Sequence, residues 1–122
     1  MSRRILVTGS RTWTDHTAIR QALTWYRSLY GPSTTVVHGG CPQGADAIAD
    51  RLADELGLQV ERHPADWHTY GKRAGYVRNT RMVNLGADVC LAFIRNGSPG
   101  ASMCASYAAL AGIPVTHVRQ DR

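Results

Sequence analysis

The spacing of apolar and polar positions switches repeatedly between two forms along this chain, and the switches mark its elements. Arg4-Ile5-Leu6-Val7-Thr8 is a short, nearly unbroken apolar run, the pattern of a strand buried on both faces. Gly9-Ser10-Arg11-Thr12-Trp13 follows as a loop, and Thr14 or Asp15 caps the next helix. Ile19, Ala22, Leu23, Tyr26, Leu29 and Tyr30 mark one face of that helix, which Gly31-Pro32-Ser33 stops. Thr34–His38 is a β-branched run and the second strand. Ala45, Ile48, Ala49, Leu52, Ala53 and Leu56 then recur at helical spacing, and Gly57 caps that helix at its end. Leu58–His63 alternates weakly as a third strand, and Pro64 to about Lys72 reads as a long loop. A third helix over about Arg73–Leu85 has a poor apolar face of Ala74, Val77, Met82 and Leu85. Asp88–Ile94 is the fourth strand, Arg95–Gly100 a loop and Ala101–Ala111 a fourth helix rich in Ala and Ser. Val115–Val118 is the fifth strand, and Arg119–Arg122 a polar tail.

Strict β–α alternation implies a Rossmann-like α/β/α three-layer fold, a five-stranded parallel sheet in the order 3-2-1-4-5. Ligands in such sheets sit beyond the carboxyl ends of the strands, beside the point where the winding reverses. Every unusual loop here follows a strand, so Gly9–Trp13, His38–Asp46, Ala65–Lys72 and Arg95–Gly100 are expected to meet at one rim. Within that set, His38-Gly39-Gly40-Cys41-Pro42-Gln43-Gly44-Ala45-Asp46 is a strand-to-helix elbow. Its glycines leave room for close approach, and the helix N-terminus behind them favours an anion. The alternative is a plain turn that needs glycine for its dihedrals. Arg95–Gly100 is a second phosphate-loop candidate.

The bulk composition narrows the picture. The 122 residues make one domain over 1–122, 43% of them apolar, so no disorder is expected. No apolar run is long enough to span a bilayer, and no signal-peptide pattern follows Met1, which points to the cytoplasm. Three cysteines without a C-x-x-C pair argue against a disulfide framework or a zinc site, and the five histidines lack metal-ligand spacing. No metal and no cofactor are expected. The net charge is +5, and Lys72 is the single lysine among fourteen basic residues. Lys72, Arg73, Arg78 and Arg81 crowd a segment that holds no Asp or Glu between Asp66 and Asp88. Arginine suits bidentate grip on phosphate.

The ordered set Gly9-Ser10-Arg11, His38-Gly39-Gly40, Gly44-Ala45-Asp46, Pro64-Ala65-Asp66-Trp67, Tyr70-Gly71-Lys72, Ala74-Gly75, Arg78-Asn79, Ala92-Phe93 and Gly112-Ile113-Pro114-Val115 resembles the YspA-like branch of the SLOG superfamily, nearly end to end. That resemblance implies a Rossmann-like fold and a site for a nucleotide or nucleotide-derived ligand, in a family common in bacteria and phages and prone to homo-oligomers. Two relatives sharpen it. Lonely-guy enzymes cleave the N-glycosidic bond of nucleoside monophosphates with a Pro-Gly-Gly-x-Gly-Thr-x-x-Glu motif. Here His38 replaces the proline, Ala45 the threonine, and the glutamate position falls on Ile48, leaving Asp46 as the nearest carboxylate. The DNA-processing protein DprA is similar in its glycine-serine-arginine loop, and it binds single-stranded DNA.

The expected ligand-binding residues are accordingly Gly9, Ser10, Arg11, His38, Gly39, Gly40, Gly44, Asp46, Asp66, Trp67, Arg78 and Asn79. Arg11 and Arg78 clamp phosphate, Ser10 donates to it, and Asn79 reads a base or sugar edge. His38 is alternatively a satisfied core histidine. Asp46 either rests on the helix dipole, bonds a ribose hydroxyl, or works as a general acid if burial raises its pKa. Asp66 and Trp67 pair for ribose binding and stacking, though Trp67 equally serves as a plug for its loop; Trp13 stacks on a base or wedges against the first helix. Lys72 and Arg73 face solvent. Under a hydrolase reading Asp46 and Asp66 are the catalytic carboxylates. Under a nucleic-acid reading Lys72–Arg81 and exposed Trp13 or Trp67 form the surface. Small residues along Ala101–Ala111 suggest close helix pairing in a homo-oligomer.

Overall fold

A computed structural model describes Ser2–Gln120; Met1, Asp121 and Arg122, the last two assigned above to the tail, lie outside the described residues. Its sheet is all parallel, five strands in the order β3-β2-β1-β4-β5, as the alternation requires. The strands are β1 (Arg4–Gly9), β2 (Thr35–His38), β3 (Gln59–Arg62), β4 (Val89–Arg95) and β5 (Val115–Gln120). The helices are α1 (His16–Tyr30), α2 (Gly44–Glu55), α3 (Trp67–Tyr70), α4 (Ala74–Asn84) and α5 (Pro99–Leu110). β1 lies in the middle, and its alternate side chains face different layers. Ile5 and Val7 join Val36, Leu91 and Phe93 beneath Ile19 and Leu23 of α1 and Ala49 and Leu52 of α2. Leu6 joins Val37 and Cys90 beneath Met82 and Val83 of α4 and Cys104 and Ala108 of α5.

Five expectations shift. The long loop holds α3 and a 3-10 turn, Gly71–Arg73, where Asp66 caps by accepting from Thr69 N–H at 3.0 Å. Helix α4 turns Val83 inward instead of Leu85, which follows the helix end and is exposed, as is Leu29 near the end of α1. Trp13 is buried: its ring meets Phe93 edge-on at 5.4 Å, and Nε1 donates to the Asp15 carbonyl at 2.8 Å. It is core and not a stacking surface. The small residues of α5, Ala101, Cys104, Ala105 and Ala108, are buried inside the fold, so their close packing is intrachain. Arg119 and Gln120 belong to β5, extending that strand beyond Val118 into the expected tail.

The amino end of the sheet is tied by one side chain. Arg4 N–H donates to Asp88 at 2.7 Å, Arg4 Nε to the Gly86 carbonyl at 3.0 Å, and its two Nη groups to Glu61 at 2.8 and 2.9 Å. His63 lies 2.7 Å from the same carboxylate. These contacts couple β1 to β3 and to the start of β4.

Candidate functional site

The carboxyl end of the sheet is open. Helix α2 docks closely there: an added Cβ on Gly9 would collide with Ala45 and stand 2.7 Å from the Phe93 carbonyl, and one on Gly44 would stand 2.6 Å from Arg11 Cα. Beside this junction lies a cleft of about 550 Å³, lined by the ends of β1 and β4 and by α2, α3 and α4 residues. A neighbouring cleft of about 450 Å³ lies along the Gly39–Gln43 turn and Pro64-Ala65. Arg11, Gly39, Cys41, Trp67 and Arg78 line both and form the ridge between them.

Asp46 lines the larger cleft and is only 7% exposed. Removal from water pushes its carboxyl above the ordinary aspartate range, against the opposing pull of His38, the Cys41 N–H and Arg78. Its carboxylate accepts from Cys41 N–H at 3.3 Å. A carboxyl held this way keeps a proton to higher pH than a solvated one, the property a general acid needs. Arg78 reaches from α4 to the glycine turn, with Nη1 donating to the Gly39 and His63 carbonyls and Nε to Asn79 Oδ1 at 2.7 Å. Gly39 is required here, because a side chain would occupy the guanidinium's place. Asn79 is buried on the wall of the cleft. Arg11 is exposed on the ridge, and Trp67, half exposed, stands at its edge.

Three expected ligand contacts are used otherwise. Ser10 is buried; its hydroxyl donates to the Arg95 carbonyl at 3.2 Å and its N–H to the Phe93 carbonyl at 2.9 Å. One hydroxyl carries one proton, so this geometry leaves Ser10 none for a phosphate. His38 is 2% exposed and lines neither of the two clefts; Nδ1 accepts from Gly40 N–H at 2.9 Å. Nε2 therefore carries the proton and meets Asp50 at 2.7 Å. Arg62 holds Asp50 bidentately at 2.6 and 3.0 Å and, with His38, keeps its pKa low. His38 thus fixes the turn instead of lining the site. Asp66 is exposed, lines neither cleft, and the Thr69 hydrogen bonds lower its pKa, so it suits capping and not proton donation. Gly44 also lies off the cleft walls, and Gly40 lines only the smaller cleft.

Tyr76 and Met82 line the larger cleft without having been anticipated there, and Tyr76's signal was its place on one helix with Arg78. Arg95, from the loop expected as a second phosphate-binding candidate, lines it as well, and so does Lys72, expected to face solvent or to belong to a nucleic-acid surface. Among the described residues no group of three His, Cys, Asp or Glu is placed to hold a metal ion. No helix among them is long and apolar enough to cross a membrane.

The family model described as YspA, cpYpsA-related SLOG family matches residues 3–70. The chain belongs to this SLOG family. It is similar to the Gene 61 protein of Mycobacterium phage D29, 49% identical over 120 residues that cover 93% of this chain and 94% of that protein. No solved structure matches. Membership supports a nucleotide-related binding or hydrolase-like role in general terms, and the SLOG match covers the β1 loop, the glycine turn with Asp46, and α3.

Proposed function

We propose that this protein binds a nucleotide or nucleotide-derived ligand at the carboxyl rim of its sheet, with phosphate held by Arg11, Arg78 and the glycine turn. The observation that carries this reading is the composition of the 550 Å³ cleft. It joins arginines and Lys72 to the aromatic faces of Trp67 and Tyr76, over an interior that includes Val7, Met82 and Ala101. Cations for phosphate, π-faces for a base and apolar surface for the base's edge are what a nucleotide needs. The N-terminus of α2, with no side-chain cap at Gln43, adds partial positive charge beside the turn.

Mass spectrometry of small molecules released from the purified, denatured protein tests this directly. A nucleotide-class species is expected, and Arg11→Ala and Arg78→Ala are each expected to weaken its binding about tenfold or more, the scale of a lost charge-assisted hydrogen bond. Unchanged affinity in both variants would overturn the site assignment.

The buried Asp46 carboxyl favours a second reading, N-glycosidic hydrolysis of a nucleoside monophosphate. Asp46 would give its proton to the base nitrogen as the C1′–N bond breaks, and water would add at the anomeric carbon and release its proton to solvent. Free base appearing in incubations with nucleoside monophosphates, and lost in Asp46→Asn, would support it; no base release in the wild type would exclude it. Exposed Trp67, Tyr70 and Tyr76 beside Lys72, Arg73 and Arg81 keep single-stranded nucleic acid as a further ligand to titrate. Such binding must weaken steeply with salt, and a flat response would rule it out.

A further inference from the structure

The larger cleft has a wall whose polar groups the nucleotide reading leaves unused, the turn from β4 into α5. Arg95 ends β4 there, and Asn96, Ser98, Gly100 and Ala101 continue the lining. The Arg95 backbone is pinned to β1's loop, since its N–H donates to Ser10 Oγ at 2.8 Å and its carbonyl accepts from the same hydroxyl. Nη1 donates to the Thr12 carbonyl at 2.7 Å. Nε is buried and donates to nothing among the described residues. A buried charged donor without an acceptor is costly, and the fold keeps one at the side of a cleft.

Gly100 gives an independent sign. Of the twelve glycines, eight have positive φ, and Gly9 and Gly39 are hemmed in by neighbouring atoms. Gly75 and Gly100 have neither reason, and both line the larger cleft. An added Cβ at Gly100 would meet nothing within 4 Å, although the residue is the second of α5, where glycine weakens a helix relative to alanine. Neither dihedrals nor packing asks for glycine there. Close approach of a ligand to the backbone does.

We propose that Arg95 and the open backbone at Gly100 form a second anion subsite, so that the ligand is a nucleoside bisphosphate with its phosphates on opposite sides of the sugar. This rests on the nucleotide reading above. The glycine turn follows β2 and receives Arg78 of α4 at the Gly39 carbonyl, Arg95 ends β4, and β1 lies between those two strands. Two strand spacings set the ends of β2 and β4 roughly 9–10 Å apart. Adjacent phosphates of a diphosphate share one bridging oxygen and cannot span that gap; a 5′-phosphate and a 3′-phosphate, with flexible arginines at each end, fit it. As Arg95 turns outward to meet the anion, its Nε edge becomes available for two parallel hydrogen bonds. The first turn of α5 contributes its partial positive charge at the same place.

Calorimetric titration of the whole chain with the four nucleoside 5′-monophosphates and their 3′,5′-bisphosphates decides the matter. At least one bisphosphate is expected to bind about tenfold or more tightly than its monophosphate. Arg95→Ala and Gly100→Leu are each expected to bring that ratio to about one. Gly100→Ala is expected to raise Tm while lowering the ratio, a pair of effects that a purely structural glycine cannot give. If Arg95→Ala fails to fold, the Gly100 variants decide. A wild-type ratio of about one, with the monophosphate still bound, overturns the second subsite and leaves the nucleotide reading standing, as does a ratio unmoved in Gly100→Leu. Binding of neither class overturns both.

Discussion

Substituting Gly44 by alanine tests whether the junction between β1 and α2 is as tight as the geometry requires. Gly44 has φ +71, and an added Cβ would overlap the Ser10 carbonyl oxygen and stand 2.6 Å from Arg11 Cα and carbonyl carbon. All of these are backbone atoms, so no rotamer change relieves the clash. Gly57 is the matched control: its φ is +73, and an added Cβ there meets nothing within 4 Å. Both alanines pay the left-handed backbone cost, about 1–2 kcal/mol, less about 0.4–1 kcal/mol for the stiffer unfolded chain. Only Gly44→Ala pays in addition for overpacking, about 1–3 kcal/mol. Gly57→Ala should therefore lose about 1 kcal/mol and Gly44→Ala about 2–4 kcal/mol. For a domain of this size that is roughly 4 °C of Tm per kcal/mol. Urea denaturation at 25 °C, with m unchanged between variants, reads the difference. Equal losses in the two variants would refute the claim that Ser10 and Arg11 press on the start of α2.

Two further outcomes follow from charge and burial. Glu61 is held at a pKa of about 2 by Arg4 and then His63, so its share of stability is present above its unfolded value of 4.5 and is lost as pH falls from there towards 2. Glu61→Gln should flatten the stability profile over that interval, as followed by thermal melts at several pH values; an unaltered slope would count against the Arg4–Glu61 tie. Burial pushes the Cys90 thiol up to about 12 and raises Cys104 as well, whereas Cys41 is partly exposed. A chromogenic disulfide reagent at pH 8 should titrate one thiol in the native protein and three after unfolding; three equivalent thiols in the native state would contradict the core.

Sheet order and the gathering of loops at one rim were legible because short apolar runs and strict alternation leave few topologies. What escaped was decided by neighbours and not by period. Helix α3 has four residues, too few for a helical repeat to show. Trp13 left two readings open, a stacking surface or a buried wedge, because nothing in the local sequence shows that Phe93 lies beside it. Ser10 sits in the motif as a ligand residue would, yet its proton is spent on Arg95, 85 residues away; His38 left ligand and core readings open, and its partners Gly40 and Asp50 decide for the core. Asp46 was identifiable as a carboxylate beside the glycines; its burial, which gives it chemical interest, came only with the packing of α2.

The contacts of Arg4 tie β1, β3 and the start of β4 through Gly86, Asp88 and Glu61, residues that line neither cleft. Substitutions at Arg11, Trp67, Lys72 or Arg95 leave that fastening intact. A sheet secured in this way lets its upper lip be resurfaced while the order of the strands beneath is kept.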